Sequence, residues 1–327
     1  MISKRAFLSS VVTAGTAASV AIAMRWPAVA ETYPSRAIHF IMPFPPGPAD
    51  LVIRLYGQKI SQDWNVPAVV DVRPGATGSI GTEVVVNAAP DGYTLLFTVD
   101  LPITMAPNLL KVPYDPQRDL IPICAVVESQ NVLVTTPSSG IKSLAAFVAA
   151  AKAKPGTLTF SSAGIGSPAH FCGEMIKHQA GIDMVHVPYG GAGPAMNAVL
   201  AGDVTAFCGP IAQALPFIKA GKVYALGVAG AKPSALLPDV APLSATYPGL
   251  VMSNWYGLLA PAHTPAAVCG KLAAEFKKVS DDPEIQHKLL AIGLEPTWAS
   301  GEDLARRIAA DLTKWHNLMA EAGIHAG

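Results

Sequence analysis

Charge is scarce in this chain. Only 14% of its 327 residues are Asp, Glu, Lys or Arg, against 51% hydrophobic. That ratio excludes a disordered chain and leaves ample material for a core. Basic runs are missing, and 23 Lys and Arg balance 23 Asp and Glu, so the electrostatic footprint of a nucleic-acid binder is absent. Aromatics amount to 7%, too few for a base-stacking surface. The four cysteines, Cys124, Cys172, Cys208 and Cys269, form no C-x-x-C pair and match no zinc spacing. An oxidising compartment would permit a disulfide, but buried thiols are the expectation. There is no G-x-S-x-G elbow and no pair of carboxylates at acid/base spacing. Internal repeats and low-complexity tracts are also lacking, so no strong catalytic motif points to an enzyme.

Glycine (28) and proline (29) are plentiful. They fall between periodic segments, as at strand–loop–helix junctions. Residues 1–30 read as a cleaved export signal: Lys4 and Arg5, then a small apolar run from Ala6 to Met24, then Ala28-Val29-Ala30 as a small-x-small cleavage site. A spanning helix is the competing reading, but the run is rich in Ala, Ser, Thr and Gly rather than Leu. Ser3-Lys4-Arg5-Ala6-Phe7-Leu8 resembles a twin-arginine motif with Lys at its first position; an ordinary secretory signal fits as well. Removing residues 1–30 takes away Lys4, Arg5 and Arg25 and no acid, leaving 20 basic against 23 acidic residues, a net charge of −3. Anion binding by such a chain has to come from local geometry, from backbone N–H groups and helix N-termini.

From Ala37 onward β-rich runs alternate with apolar helices. Strands are expected at Ala37–Met42, Ala68–Val72 and Tyr93–Val99, with helices at Leu51–Trp64, capped by Asp50, and through Val86. This βαβαβ order implies a parallel, doubly wound sheet. A second unit begins near Asn131. Its strands are expected at Asn131–Thr135, Thr157–Ser161, Met184–Val187, Val204–Cys208 and Tyr224–Val228, with a helix capped by Ser143 and another from Pro168 to Gln179. A strand returns near Trp255–Leu259. An all-helical tail follows, its last helix striped by Leu304, Ile308, Leu312 and Trp315.

Ala163-Gly164-Ile165-Gly166-Ser167-Pro168-Ala169 formally matches G-x-G-x-x-A between a strand and a helix. A nicotinamide cofactor is disfavoured because Asp183 precedes its strand rather than ending it and because the protein is exported. The same turn suits any small anion. His170, Glu174 and His178 share a helix stripe with His186 nearby; a solvated or hydrogen-bonded face is expected there rather than a metal. His170 either points at a ligand or buttresses the turn. Three Gly/Pro loops, Phe44–Asp50, Ser162–His170 and Tyr189–Pro194, precede helix N-termini at the carboxyl ends of strands, where open α/β sheets bind ligands.

Tyr33-Pro34-Ser35-Arg36, Pro43-Phe44-Pro45-Pro46-Gly47 with Asp50 and Arg54, Ala89-Pro90-Asp91-Gly92-Tyr93, Val185-His186-Val187-Pro188-Tyr189 and Trp255-Tyr256-Gly257-Leu258-Leu259 occur in this order. Together they resemble the Bug-type extracytoplasmic solute receptors of tripartite tricarboxylate transporters, over essentially the whole exported chain. The resemblance implies an α/β two-domain periplasmic binding protein, a Venus flytrap of type II, each domain a doubly wound sheet flanked by helices. Domain 1 would comprise 31–131 and 256–327, and domain 2 would comprise 132–255. It further implies a small carboxylate ligand in the interdomain cleft, delivery to a membrane permease, no enzyme activity, no cofactor, no metal and a monomer. By position, the ligand contacts would be Phe44, Pro45, Pro46, Gly47 and Asp50, then Thr98 and Asp100. The second domain would add Ser162, Ala163, Gly164, Ser167, His170, Tyr189 and Gly190. The first loop departs from the family pattern: Gly47-Pro48-Ala49-Asp50 is one residue short, lacks the second Gly and a Thr, and Pro48 removes a backbone donor. An exported cofactor-dependent enzyme and a receptor feeding a signalling partner stand as the alternatives.

Overall fold

The computed structural model describes residues 33–165 and 167–321; residues 1–32, on which the expected export signal falls, Gly166 and residues 322–327 lie outside them. The chain opens with β1 (Ile38–Met42), whose buried Ile-His-Phe-Ile-Met run ends where Pro43 cannot continue a ladder. Helix α1 (Pro48–Trp64) follows, with Gly47 at its cap and Pro48 in its first turn. The fixed φ of proline starts the helix here, so Asp50 lies inside the first turn and caps nothing; the expected cap at Asp50 is corrected. Strand β2 (Ala68–Val72) pairs in parallel with β1. Helix α2 (Ser79–Val86) then leads to β3 (Thr94–Val99) on the other side of β1, also parallel. Gly78, at φ +88°, precedes α2, and a Cβ there would come within 3.0 Å of the Phe44 ring and 3.1 Å of Pro102. Only glycine allows that approach.

Two short helices, α3 (Ala106–Leu109) and α4 (Pro116–Asp119), lead into β4 (Leu120–Thr135). This strand is far longer than the expected Asn131–Thr135. The second half of the sheet contains α5 (Leu144–Ala153), β5 (Thr159–Ser162), α6 (Pro168–Ala180), β6 (Val185–Pro188), α7 (Ala192–Ala201) and β7 (Ala206–Pro210). Helix α8 (Ile211–Lys219), which periodicity did not reveal, leads to β8 (Tyr224–Val228). The chain returns through β9 (Ser253–Pro261) to α9 (Ala266–Ser280) and α10 (Pro283–Ala291). The tail is not all helical: β10 (Glu295–Ser300) precedes α11 (Gly301–Glu321) and pairs antiparallel with β4.

The sheet path runs β2-β1-β3-β9-β4-β7-β5-β6, with β8 and β10 also on β4. The two outer βαβ groups are parallel, as expected, but β9 and β4 enter antiparallel, so the sheet is mixed. Strand β4 serves both halves. Leu120 to Gln130 pair with β9, and Asn131 to Thr135 pair with β7. The returning tail packs on the first half. Tyr56 of α1 stacks on Phe276 of α9 at 5.4 Å and shares a 2.9 Å hydrogen bond with Ser280. Helix α11 lays Leu304, Ile308 and Trp315 against the core, each at most 2% exposed, with Leu312 half-buried. All four cysteines are free thiols; Cys124, Cys172 and Cys208 are buried and Cys269 is half-buried. Contact with Cys172, and then burial, push the Cys208 thiol well up.

Candidate functional site

The β5–α6 turn is built by its own side chains. Ser162 Oγ accepts from Gly164 N–H at 3.2 Å and lies 2.7 Å from His186 Nε2. Gly164, at φ +130°, turns the chain where an L side chain would be strained. Ser167 Oγ donates to Gly164 O at 2.7 Å and accepts from His170 N–H at 3.2 Å, capping α6. With Pro168 lacking an N–H and His170 N–H taken by the cap, the donor left in the first turn is Ala169 N–H.

That turn forms one wall of a cavity of about 210 Å³. Ala163, Ser167, Pro168 and Ala169 face it from α6 and its turn, and Pro210 from the end of β7. Val99 and Leu101 face it from the end of β3, Ser129 and Asn131 from β4, and Asn254 and Tyr256 from β9. The cavity therefore draws on both halves of the sheet, at the carboxyl ends of β3, β5 and β7. Among the described residues no Lys or Arg lines it. Larger hollows of about 470 and 410 Å³ flank the outer face of α1, around Arg54 and Gln58.

Behind the cavity floor lies a buried polar cluster. Asp100 is 2% exposed, and Asn254 Nδ2 donates to its Oδ1 at 2.9 Å. Burial pushes the Asp100 carboxyl up to about 7; the Asn254 bond and Arg307 oppose this, and Asp311 adds to it. Burial and the neighbouring Asp100 charge keep Tyr256 a neutral phenol. From α11, Arg307 donates to Ser253 Oγ at 3.0 Å and pairs with Glu128 at 3.2 Å, and Lys314 donates to Val251 O. Burial raises the Asp311 carboxyl and lowers Lys314.

The candidate residues divide into those at the cavity and those away from it. Ala163 and Ser167 line it, and Asp100 backs it through Asn254. Ser162 and Gly164 hold the turn together, and Thr98 is fully buried in β3 with its hydroxyl on Val99 O. His170 stacks on His186 at 4.0 Å, the two rings packed beneath the turn. Burial lowers both imidazoles, His186 to about 4, which keeps them neutral. Phe44, Pro45, Pro46, Gly47 and Asp50 are not on the cavity wall: the Phe44 ring faces Gly78, and Asp50 accepts from Arg54 Nε at 2.8 Å. Tyr189 and Gly190 also stand off it; Tyr189 packs against the α7–α8 core and donates its N–H to Ser162 O. Among the described residues no group of three His, Cys, Asp or Glu is placed to hold a metal ion.

Sequence reasoning missed Ser129, Asn131, Asn254 and Tyr256. The available signal was the polar run Glu128-Ser129-Gln130-Asn131 inside a largely apolar strand. It lies where the chain passes from one half of the sheet to the other, and Asn254 pairs with Ser129 across the return strand.

The profile of a family described as "Tripartite tricarboxylate transporter family receptor" matches residues 52–324. The protein BugT of Bordetella pertussis is 32% identical over 317 residues, 96% of this chain and 95% of BugT. Among solved structures, a TctC solute-binding protein from Polaromonas superposes with a TM-score of 0.81 at 25% identity, over 89% of this chain and 100% of that one. The R. palustris protein Rpa4515, solved with adipate, gives 0.75 at 26% identity, over 90% of this chain and 100% of that one.

Proposed function

The chain belongs to the tripartite tricarboxylate transporter receptor family, whose members are solute-binding receptors and not enzymes, and from this we propose that it captures a small carboxylate outside the cytoplasm for a membrane permease. The observation that carries this reading is the cavity shared by both halves of the sheet, with the N-terminus of α6 on its wall and no Lys or Arg among the described residues that line it. A helix N-terminus and a backbone N–H together favour a carboxylate by about 1 kcal/mol or more. The acid lies against Ala169 N–H and Ser167, and its body fills the apolar space between Val99, Leu101 and Pro210. Capture is a closure of residues 132–255 onto 31–131 and 256–327, with β4 and β9 as the connecting strands. Residues 1–30 are the cleaved signal that exports the chain; among the described residues no helix is long and apolar enough to cross a membrane.

A thermal-shift screen of mono-, di- and tricarboxylates, each beside its amide, tests this. Acids should raise the melting temperature and their amides should not. Equal stabilisation by an acid and its neutral amide, or none by any acid, would remove the reading.

A further inference from the structure

The two ends of the cavity differ in electrical character. On the α6 side the backbone presents a donor and the positive end of the helix. On the β9 side the wall is Asn254, and Asn254 is not free to turn as it pleases. Its nitrogen donates to Asp100 Oδ1 at 2.9 Å, and an ionised carboxylate can only accept. The amide is therefore pinned with its nitrogen on Asp100, and its carbonyl oxygen is the acceptor it can offer elsewhere. Asp100 itself is 2% exposed, so above about pH 7, where it is ionised, its charge is poorly screened by solvent. A second anion brought to this end would meet a like charge.

Resting on the solute-capture reading, we infer that the ligand carries a hydrogen-bond donor, a hydroxyl, at the end opposite its carboxylate, received by the Asn254 carbonyl oxygen. Asp100 is a positioning residue: it touches no ligand and sets which face of the Asn254 amide the cavity sees. The preferred solute is then a compact hydroxy acid with an apolar body, and a diacid of the same length is disfavoured. When Asp100 takes up a proton it becomes a donor itself, the amide is released to turn, and the preference weakens. The groups facing Asp100 are Asn254 and Tyr256 from β9 and Arg307, Asp311 and Lys314 from α11. Asp100 carries the switch because it is the group bonded to the amide and its carboxyl titrates near pH 7.

The test is calorimetric titration of the full exported chain with ω-hydroxy acids of four, five and six carbons, each beside its diacid and its plain monoacid. At about pH 8.5 the best hydroxy acid should bind at least tenfold more tightly than the matching diacid. The advantage should shrink at about pH 5.5. Asp100→Asn should reduce it to about threefold or less at both pH values, because two amides can pair in either orientation. Asn254→Leu should bring the hydroxy acid down to the affinity of its monoacid; this second variant keeps the test sharp if Asp100→Asn folds poorly. Full discrimination in either folded variant, or a diacid preferred by the wild type, overturns this inference while leaving solute capture standing. Binding of none of the acids removes the capture reading itself.

Discussion

In the proposed binding mode a single N–H and a single carboxyl carry most of the chemistry. Pro168 and the Ser167 cap leave Ala169 N–H as the donor of the first turn of α6, so Ala169→Pro deletes that donor without removing an intrahelical hydrogen bond. We expect a modest fall in melting temperature, because a proline at 169 disfavours the helical conformation of Pro168, and a fall in carboxylate affinity of about tenfold, roughly 1.4 kcal/mol. Ala169→Val adds bulk but keeps the N–H and should lose less; an equal loss in both would assign the effect to crowding. Asp100 is read through stability. Its native carboxyl titrates near 7 against an ordinary value of 3.8, so the folded chain holds a proton that the unfolded chain has released between those values. That contribution is fully present below about pH 4 and is lost as pH rises through 7. Asp100→Asn should therefore gain melting temperature relative to wild type as pH is raised from about 5 to 8.5, and a difference flat with pH would contradict the assignment.

At the scale of elements, α11 joins the two halves of the core. Leu304 packs with the first-half cluster, and Trp315 packs against Phe171 of α6 at 5.6 Å. Leu304→Ala should cost about 2–5 kcal/mol, and Leu312→Ala, half-buried on the same stripe, distinctly less; chemical denaturation of both variants checks the order. This stripe was legible beforehand, because a 3.6-residue period needs only local spacing. So were β1, β2 and β8, short apolar runs bounded by Pro or Gly. The length of β4 was not: Pro122 interrupts its first part and the polar run Glu128-Ser129-Gln130-Asn131 interrupts its second, and both read locally as loop. Long-range pairing to β9 overrides them. Helix α8 was hidden by Pro216 inside it. The cavity was half legible for the same reason. The β5–α6 turn announces itself in its glycines and its Pro, whereas Asn254 and Tyr256 acquire their meaning only when β9 returns beside β4.

For the whole molecule, the expected motion has a definite observable. If β4 and β9 act as the hinge, a saturating carboxylate that binds should shrink the radius of gyration in small-angle scattering and protect amides of both cavity walls from exchange. Tighter binding with an unchanged scattering profile would mean a preformed pocket rather than closure.

Strand β4, shared by both halves, also has a bearing on the order in which the chain folds. Pairings inside the second half are local: Phe160 meets Ala206 and Ser161 meets Val187. The first half cannot finish its sheet until Leu259 comes back to Leu96, after the entire second half has been threaded between them. Closing so long a loop is slow, and it becomes cheaper once the intervening segment is already compact. Refolding from denaturant should thus show two phases, with pulse-labelled amides of β5, β6 and β7 protected first and those of β3 and β9 last. Until the late phase the apolar strand β3 has an unpaired edge, which makes the half-folded chain the species most prone to self-association.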